Sequence, residues 1–172
     1  MGRVTDLAPA GLVPAAWLLT MATHASLAAD RTLLIGLGVM DVVLLVFYVV
    51  SFAEMTGILR IWQQVLLAGL LATLLGTADM LVQPGTNPVL PVALYAWMLL
   101  PGVAYVPTGL ETAATPYRQV YLAAAVLTVL GTAVYSIPLL GLAGGSTLTL
   151  AGLGVLGAGQ TAGIVAAAVH NS

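Results

Sequence analysis

The stretch TLLIGLGVMDVVLLVFYVVSFAEMTGIL, residues 32–59, is apolar apart from two acids and a few small polar residues, and it lies between Arg31 and Arg60. A helix of about 20 apolar residues crosses the hydrocarbon core of a bilayer, so this run is long enough to span a membrane. Its central acid, Asp41, is costly in contact with lipid and must face protein or water. The stretch therefore predicts a membrane-spanning helix that carries a buried carboxylate.

The whole chain has the composition of a membrane protein. Of its 172 residues 60% are hydrophobic and 6% are charged, whereas a soluble domain has about 25% charged residues. Its 19 glycines allow helix backbones to approach closely within a bilayer. A net charge of −2 offers no attraction for nucleic acid. We predict one integral membrane domain, residues 1–172, with the lipid bilayer as its main partner.

Several chemistries are disfavoured by the residues that the chain lacks. It has no cysteine, which removes disulfides and thiolate metal sites. It has no lysine, which removes a Schiff base to retinal. The two histidines lie at opposite ends of the chain, so a bis-histidine haem is not favoured. Motifs for phosphate loops, dinucleotide folds and hydrolase nucleophiles are missing from the sequence. We therefore expect no cofactor and no metal, and a non-catalytic function is favoured over an enzyme, which stays open.

Prolines, glycines and polar residues divide the chain into six apolar segments. The segments are continuous rather than alternating, which favours helices over the strands of a membrane barrel. We predict an all-α bundle of six transmembrane helices, at about residues 10–29, 32–58, 61–82, 89–107, 119–142 and 148–169. Pro101 predicts a kink in the fourth, and the polar residues 108–118 predict a loop. We interpret the first segment as a retained helix, with a signal cleaved near residues 26–28 as the alternative.

The arginines predict how the bundle is oriented. With six crossings, Arg3, Arg60 and Arg118 lie on one side of the membrane and Arg31 lies on the other. Cytoplasmic loops of membrane proteins carry an excess of basic residues. We therefore expect the protein to lie in the cell membrane with both termini in the cytoplasm.

A short sequence match suggests an internal repeat. The letters LAGL occur at residues 67–70 in the third segment and at 150–153 in the sixth. Each repeat unit would contain three helices, an odd number, so the second unit would enter the membrane upside down relative to the first. Some transporters are built from two inverted three-helix repeats of this kind. The alternative is chance, because Leu, Ala and Gly are abundant in every segment.

Three ionisable residues lie at similar predicted depths. His24, Asp41 and Asp79 fall roughly 7, 6 and 11 Å from the centres of their segments, towards the non-cytoplasmic side. We hypothesise a polar binding cluster of these three, which Tyr48 on the Asp41 face and the deeper Gln160 extend inward. In the structural alternative, Asp79 caps a helix end, His24 pairs with Asp41, and Gln160 bonds across helices.

These features lead to three functional hypotheses. The first is a small transporter or channel-like protein for protons, cations or a small solute. The second is a non-catalytic accessory subunit or scaffold of a membrane complex, and the third is a membrane-embedded enzyme acting on a lipid or isoprenoid. Assembly into a homo-oligomer or a larger complex stays open. Glu54 is expected to pair with Arg60 or to reach the membrane surface.

Overall fold

The fold was analysed in a computed structural model that describes the backbone over residues 2–53, 55–113 and 115–170, and the side chains over 10–53, 55–113 and 115–169. Within these residues the chain forms six helices and no strand. The helices are α1 (Gly2–His24), α2 (Asp30–Ser51), α3 (Leu59–Val82), α4 (Leu90–Glu111), α5 (Thr115–Leu139) and α6 (Gly145–His170). The predicted all-α bundle is confirmed. Five helices, α2 to α6, are long and apolar enough to cross a membrane.

Five helices, all except α4, begin earlier than the hydropathy pattern predicts, and α1 does so by the largest margin. The first turn of a helix has backbone N–H groups without partners inside the helix, so it accommodates polar residues and proline. Pro116, the second residue of α5, is an example. A hydropathy boundary therefore underestimates the length of a helix at its amino end.

The first helix ends at His24 rather than near residue 29. Ser26 has a φ of 58°, which is the left-handed conformation that terminates many helices. Leu27 donates its N–H to the carbonyl of Ala22 at 2.8 Å. This bond closes the last turn of α1, so the chain can turn and enter α2.

The second helix ends at Ser51 rather than near residue 58. Gly57 has a φ of 57°, a conformation that suits glycine and does not continue a helix. The side chain of Gln63, in the first turns of α3, donates to the Phe52 carbonyl at 3.1 Å and fastens this connection. Glu54, with its predicted pairing, lies outside the described residues.

The predicted loop at residues 108–118 is mostly helical. The hydroxyl of Thr108 donates to the Ala104 carbonyl at 2.8 Å, and the hydroxyl of Thr112 donates to the Thr108 carbonyl at 2.6 Å. Threonines that bond back in this way are compatible with helix. As a result α4 continues to Glu111, and only a short connection separates it from α5.

The core lies where α4, α5 and α6 meet, with α1 packed against α6. Helices α5 and α6 approach most closely. A Cβ atom on Gly131 would lie 2.6 Å from the backbone nitrogen of Leu156, and one on Gly152 would meet the backbone nitrogen of Tyr135. Only glycine permits such an approach, which is the packing that the small residues predict.

The second helix lies at the edge of the bundle. It packs along α3 and touches α1 only briefly, whereas α4 and α5 pack extensively. Asp41 and Leu44 are its buried residues. The corresponding helix pairs of the two halves differ in how closely they pack, so the packing does not support the predicted inverted repeat.

Candidate functional site

His24 ends α1 and connects it to α5. Its Nδ1 lies 2.9 Å from the carbonyl oxygen of Thr20, which can only accept, so Nδ1 is assigned the proton of the neutral ring. Its Nε2 lies 3.0 Å from the hydroxyl oxygen of Tyr135, and in that tautomer Nε2 accepts a hydrogen bond from the hydroxyl. The two rings meet edge to face, with centroids 5.6 Å apart. Both nitrogens of His24 are therefore used within the bundle.

The contacts of His24 continue into a small aromatic group. The ring of Tyr95 lies edge to face with that of Tyr135, with centroids 5.8 Å apart. The Tyr95 hydroxyl is 2.8 Å from Ser136 Oγ, which in turn donates to the carbonyl of Thr132 at 2.8 Å. Since Ser136 has one proton, Tyr95 is the donor in their bond. This group joins α1, α4 and α5.

Asp41 is the candidate whose carboxylate is incompletely bonded. Its side chain is 9% exposed, and Oδ2 lies 2.7 Å from Thr77 Oγ1 on α3. The other oxygen, Oδ1, is buried and has no hydrogen-bond partner within the described part of the chain. Buried polar atoms are nearly always bonded, so an exception inside a membrane-spanning helix needs an explanation.

Thr77 connects Asp41 to the backbone of α3. Its hydroxyl oxygen lies 2.7 Å from Asp41 Oδ2 and 3.0 Å from the carbonyl oxygen of Thr73. When Asp41 is ionised, Thr77 donates to the carboxylate. When Asp41 is protonated, the acid can donate to Thr77, and Thr77 can donate to Thr73. The same atomic positions therefore bond both protonation states.

Asp79 occupies a different place, at the junction of α3 and α4. It is 6% exposed, and its Oδ2 accepts the backbone N–H groups of Val89 and Leu90 at 2.7 and 2.9 Å. These N–H groups lie at the start of α4, where they have no partners inside that helix. Asp79 thus has the geometry of a helix cap, which is the structural alternative that the sequence left open.

Gln160 lies in the centre of the bundle and is 2% exposed. Its Oε1 accepts the indole N–H of Trp17 at 3.1 Å, and its Nε2 donates to the carbonyls of Trp97 and Met98 at 3.1 and 3.3 Å. Its own carbonyl accepts the hydroxyl of Tyr105 at 2.8 Å. Gln160 therefore binds α1 and α4 together rather than facing a cavity.

The contact between Gln160 and α4 follows from a proline. In a regular helix the carbonyl of Trp97 would accept the N–H of residue 101, but Pro101 has none. The amide of Gln160 supplies the missing donor from α6. Side chains of neighbouring helices commonly satisfy backbone groups that a membrane proline leaves free.

Tyr48 contributes an aromatic contact. Its ring lies edge to face with Phe52, just beyond the end of the same helix, with centroids 5.6 Å apart. Among the described residues no hydrogen bond of its hydroxyl is found. Tyr48 therefore extends no polar path from Asp41 in this part of the structure.

The five candidates are thus distributed over separate contacts. Within the described residues no hydrogen bond joins any two of His24, Asp41 and Asp79, and each binds a different helix junction. The same part of the chain contains no group of three His, Cys, Asp or Glu side chains that could hold a metal ion. The arrangement can gain or lose a proton at Asp41, and elsewhere its polar groups hold helices together.

The structure adds residues that sequence analysis did not select. Thr73 and Thr77 lie one turn apart on the same face of α3, a spacing that could have indicated them. Thr73 also accepts the indole N–H of Trp97 at 2.8 Å, and Thr108 accepts that of Trp62 at 2.9 Å. All three tryptophans of the chain therefore donate hydrogen bonds to a neighbouring helix.

The fold and these contacts define a multi-pass helical membrane protein. Comparison with known protein families, with curated proteins and with solved structures finds no match.

Proposed function

We propose that this protein is a small proton-handling transporter or channel-like protein of the cell membrane, with Asp41 as the group that takes up and releases the proton. The observation that carries the proposal is the buried carboxylate of Asp41 in the middle of α2, with Oδ1 unpartnered among the described residues and Oδ2 on Thr77. Ionisable residues inside membrane helices are rare, and they commonly mark ion pathways and proton relays.

The energetic argument concerns the ionised form. A buried carboxylate with one unbonded oxygen and no opposite charge beside it is expensive in a medium of low dielectric. Neither Arg31 nor Arg60 can compensate it, because each lies at an end of the apolar run, more than two helical turns away in sequence. A purely structural role would be served at lower cost by an asparagine. The acid at this position is therefore explained best by reversible protonation.

The contacts of Asp41 favour a proton over a metal cation. A bound cation needs several free oxygen ligands. Around Asp41 the neighbouring oxygen of Thr77 is already bonded, and the carbonyls of α2 and α3 are occupied in their helices. A proton needs only an acceptor oxygen, which Asp41 supplies, and a neighbouring group that can hydrogen-bond to both protonation states, which Thr77 supplies.

A flux measurement tests this proposal. Purified protein is reconstituted into vesicles that contain a pH-sensitive dye, and proton entry is driven by a potassium diffusion potential. We expect Asp41→Asn to lose most of the flux and Thr77→Val to reduce it, because the first removes the titrating oxygen and the second removes its partner. Glu111→Gln, which neutralises an exposed acid at the end of α4, is the matched control.

A chemical label provides a second test. A hydrophobic carbodiimide adds a protonated carboxyl across one C=N bond, and the adduct rearranges to a stable acylurea without a leaving group. We expect mass spectrometry to find the label on Asp41 in the parent protein and to lose it as pH is raised. If the Asp41→Asn variant conducts protons as fast as the parent, the proposed role of Asp41 is refuted.

A second function, the accessory subunit, is favoured by the surface of α2. Between Asp30 and Ser51 that helix has two buried residues, and its apolar outer surface is exposed. The hydrogen bonds of Asp79 and Gln160 are also explained by helix packing, without a role in transport. If the flux is the same in all variants and the protein purifies in mild detergent with partners at a fixed stoichiometry, this second function replaces the first.

The third hypothesis, a membrane-embedded enzyme, has less support. A groove of about 360 Å³ opens between α4 and α5 towards the surrounding lipid. Its lining is apolar except for Thr128. Such a groove lacks the acid, base or metal that a reaction on a lipid or isoprenoid would need.

A further inference from the structure

A pocket of about 150 Å³ lies at the end of the bundle where α2 begins and the chain leaves α3. Asp30 and Arg31, the first two residues of α2, are both exposed and contribute to its rim. Leu34 and Met80 line its interior. The pocket therefore combines one positive and one negative charge with an apolar base, at the level where the apolar helices end.

The loop after α3 forms one side of this pocket. Pro84, Gly85 and Asn87 of that loop line it, and Asn87 has a left-handed conformation with a φ of 41°. The Oδ1 atom of Asn87 has no hydrogen-bond partner within the described residues, but it is shielded from the pocket as well as from solvent. Asn87 therefore shapes the pocket without offering this oxygen to a ligand.

We propose that this pocket binds the headgroup of a phospholipid that carries an amine. The Arg31 guanidinium suits the phosphate, since its planar donors match phosphate oxygens. The Asp30 carboxylate suits the ammonium group. Leu34 and Met80 give the pocket an apolar base. Beyond it the exposed apolar side chains of α2, such as Ile35 and Val39, would contact the first part of an acyl chain.

The position of the pocket favours a lipid over a free anion. Its two charges lie beside apolar helices at a membrane surface, where phospholipid headgroups are the most concentrated ligands. A free phosphate would use Arg31 and leave the apolar base and the Asp30 carboxylate without partners. This inference does not depend on proton handling at Asp41, which lies about 15 Å further along α2.

Native mass spectrometry of the detergent-purified protein tests the proposal. Phosphatidylethanolamine, phosphatidylglycerol and inorganic phosphate are titrated separately. We expect one phosphatidylethanolamine to be retained and Arg31→Gln to weaken its binding by about tenfold or more, because a charge-assisted hydrogen bond is lost. Arg60→Gln, which removes an exposed arginine at the other end of α3, should bind like the parent protein.

A second variant separates the two halves of the headgroup. Asp30→Asn is expected to weaken phosphatidylethanolamine while leaving phosphatidylglycerol unchanged, because only the former carries an ammonium group. Equal retention of phosphatidylethanolamine by the parent and Arg31→Gln would overturn the proposal. So would inorganic phosphate that binds as tightly as the lipid, since it would indicate a simple anion site. Unchanged helical content by circular dichroism confirms that the variants are folded.

Discussion

At the scale of single residues, several polar groups inside this bundle are paired across helices, and Asp41 differs from Asp79 in keeping one oxygen unpartnered within the described residues. Gln160 illustrates the rule, since it bonds to Trp17 and to the Trp97 carbonyl that Pro101 leaves free. Asp41 departs from it, because Oδ1 has no partner within the described residues. The contrast separates side chains that hold helices together from the one that we propose exchanges a proton.

The pairing of Gln160 with Pro101 can be measured by a double-mutant cycle. We expect Gln160→Leu to destabilise the protein by about 1–2 kcal/mol, because the Trp17 indole and the Trp97 carbonyl both lose a partner. In a Pro101→Ala background the cost should be smaller, since an alanine at that position can donate its own N–H to the Trp97 carbonyl. Unfolding in mixed detergent micelles gives the four stabilities, and equal costs in both backgrounds would show that the two residues are independent.

At the scale of helices, the closest packing is that of α5 against α6. Glycines on both helices bring the two backbones together, and a methyl group at Gly152 would meet the backbone of α5. Because no hydrophobic force drives helices together in lipid, such close contact supplies much of the free energy of helix association. The position of α6 in turn places Gln160 between α1 and α4.

We expect Gly152→Ala to destabilise the bundle by about 1–3 kcal/mol, because the two backbones must separate. Gly38→Ala is the matched control, since a Cβ atom there has no neighbour within 4 Å. That change should be neutral or stabilising by up to about 1 kcal/mol, because alanine favours helix. The measurement is the midpoint of thermal unfolding in detergent, and equal midpoints for both variants would contradict this account of the α5–α6 contact.

At the scale of the whole molecule, the orientation in the membrane is a proposal that rests on the arginines. The chain has no cysteine, so single cysteines introduced into loops report their side directly. We expect Ala113→Cys, between α4 and α5, to react with an impermeant maleimide only after the cells are opened. Thr86→Cys, between α3 and α4, should react in intact cells. The reverse pattern would place both termini outside.

The candidate site could be predicted from the sequence only in part. Depth along a helix follows from counting residues, so the apolar run around Asp41 identified its buried carboxylate. Rotation about the helix axis does not follow from counting, and therefore His24 and Asp79 were expected beside Asp41. In the structure His24 instead hydrogen-bonds to Tyr135, and Asp79 accepts a hydrogen bond from the backbone at the start of α4.

By itself the sequence determined the all-α class, the six helices and the apolar character that makes five of them, α2 to α6, able to cross a membrane. Those properties depend on the length and composition of local apolar runs. An apolar run of about 20 residues matches the thickness of a bilayer whatever the rest of the chain does. The tertiary structure alone decided which polar groups meet, because contacts such as Gln160 with Trp97 join residues far apart in the chain. It also decided that Asp41 keeps an oxygen without a partner among the described residues, since helix packing and not helix formation controls the neighbours of a side chain.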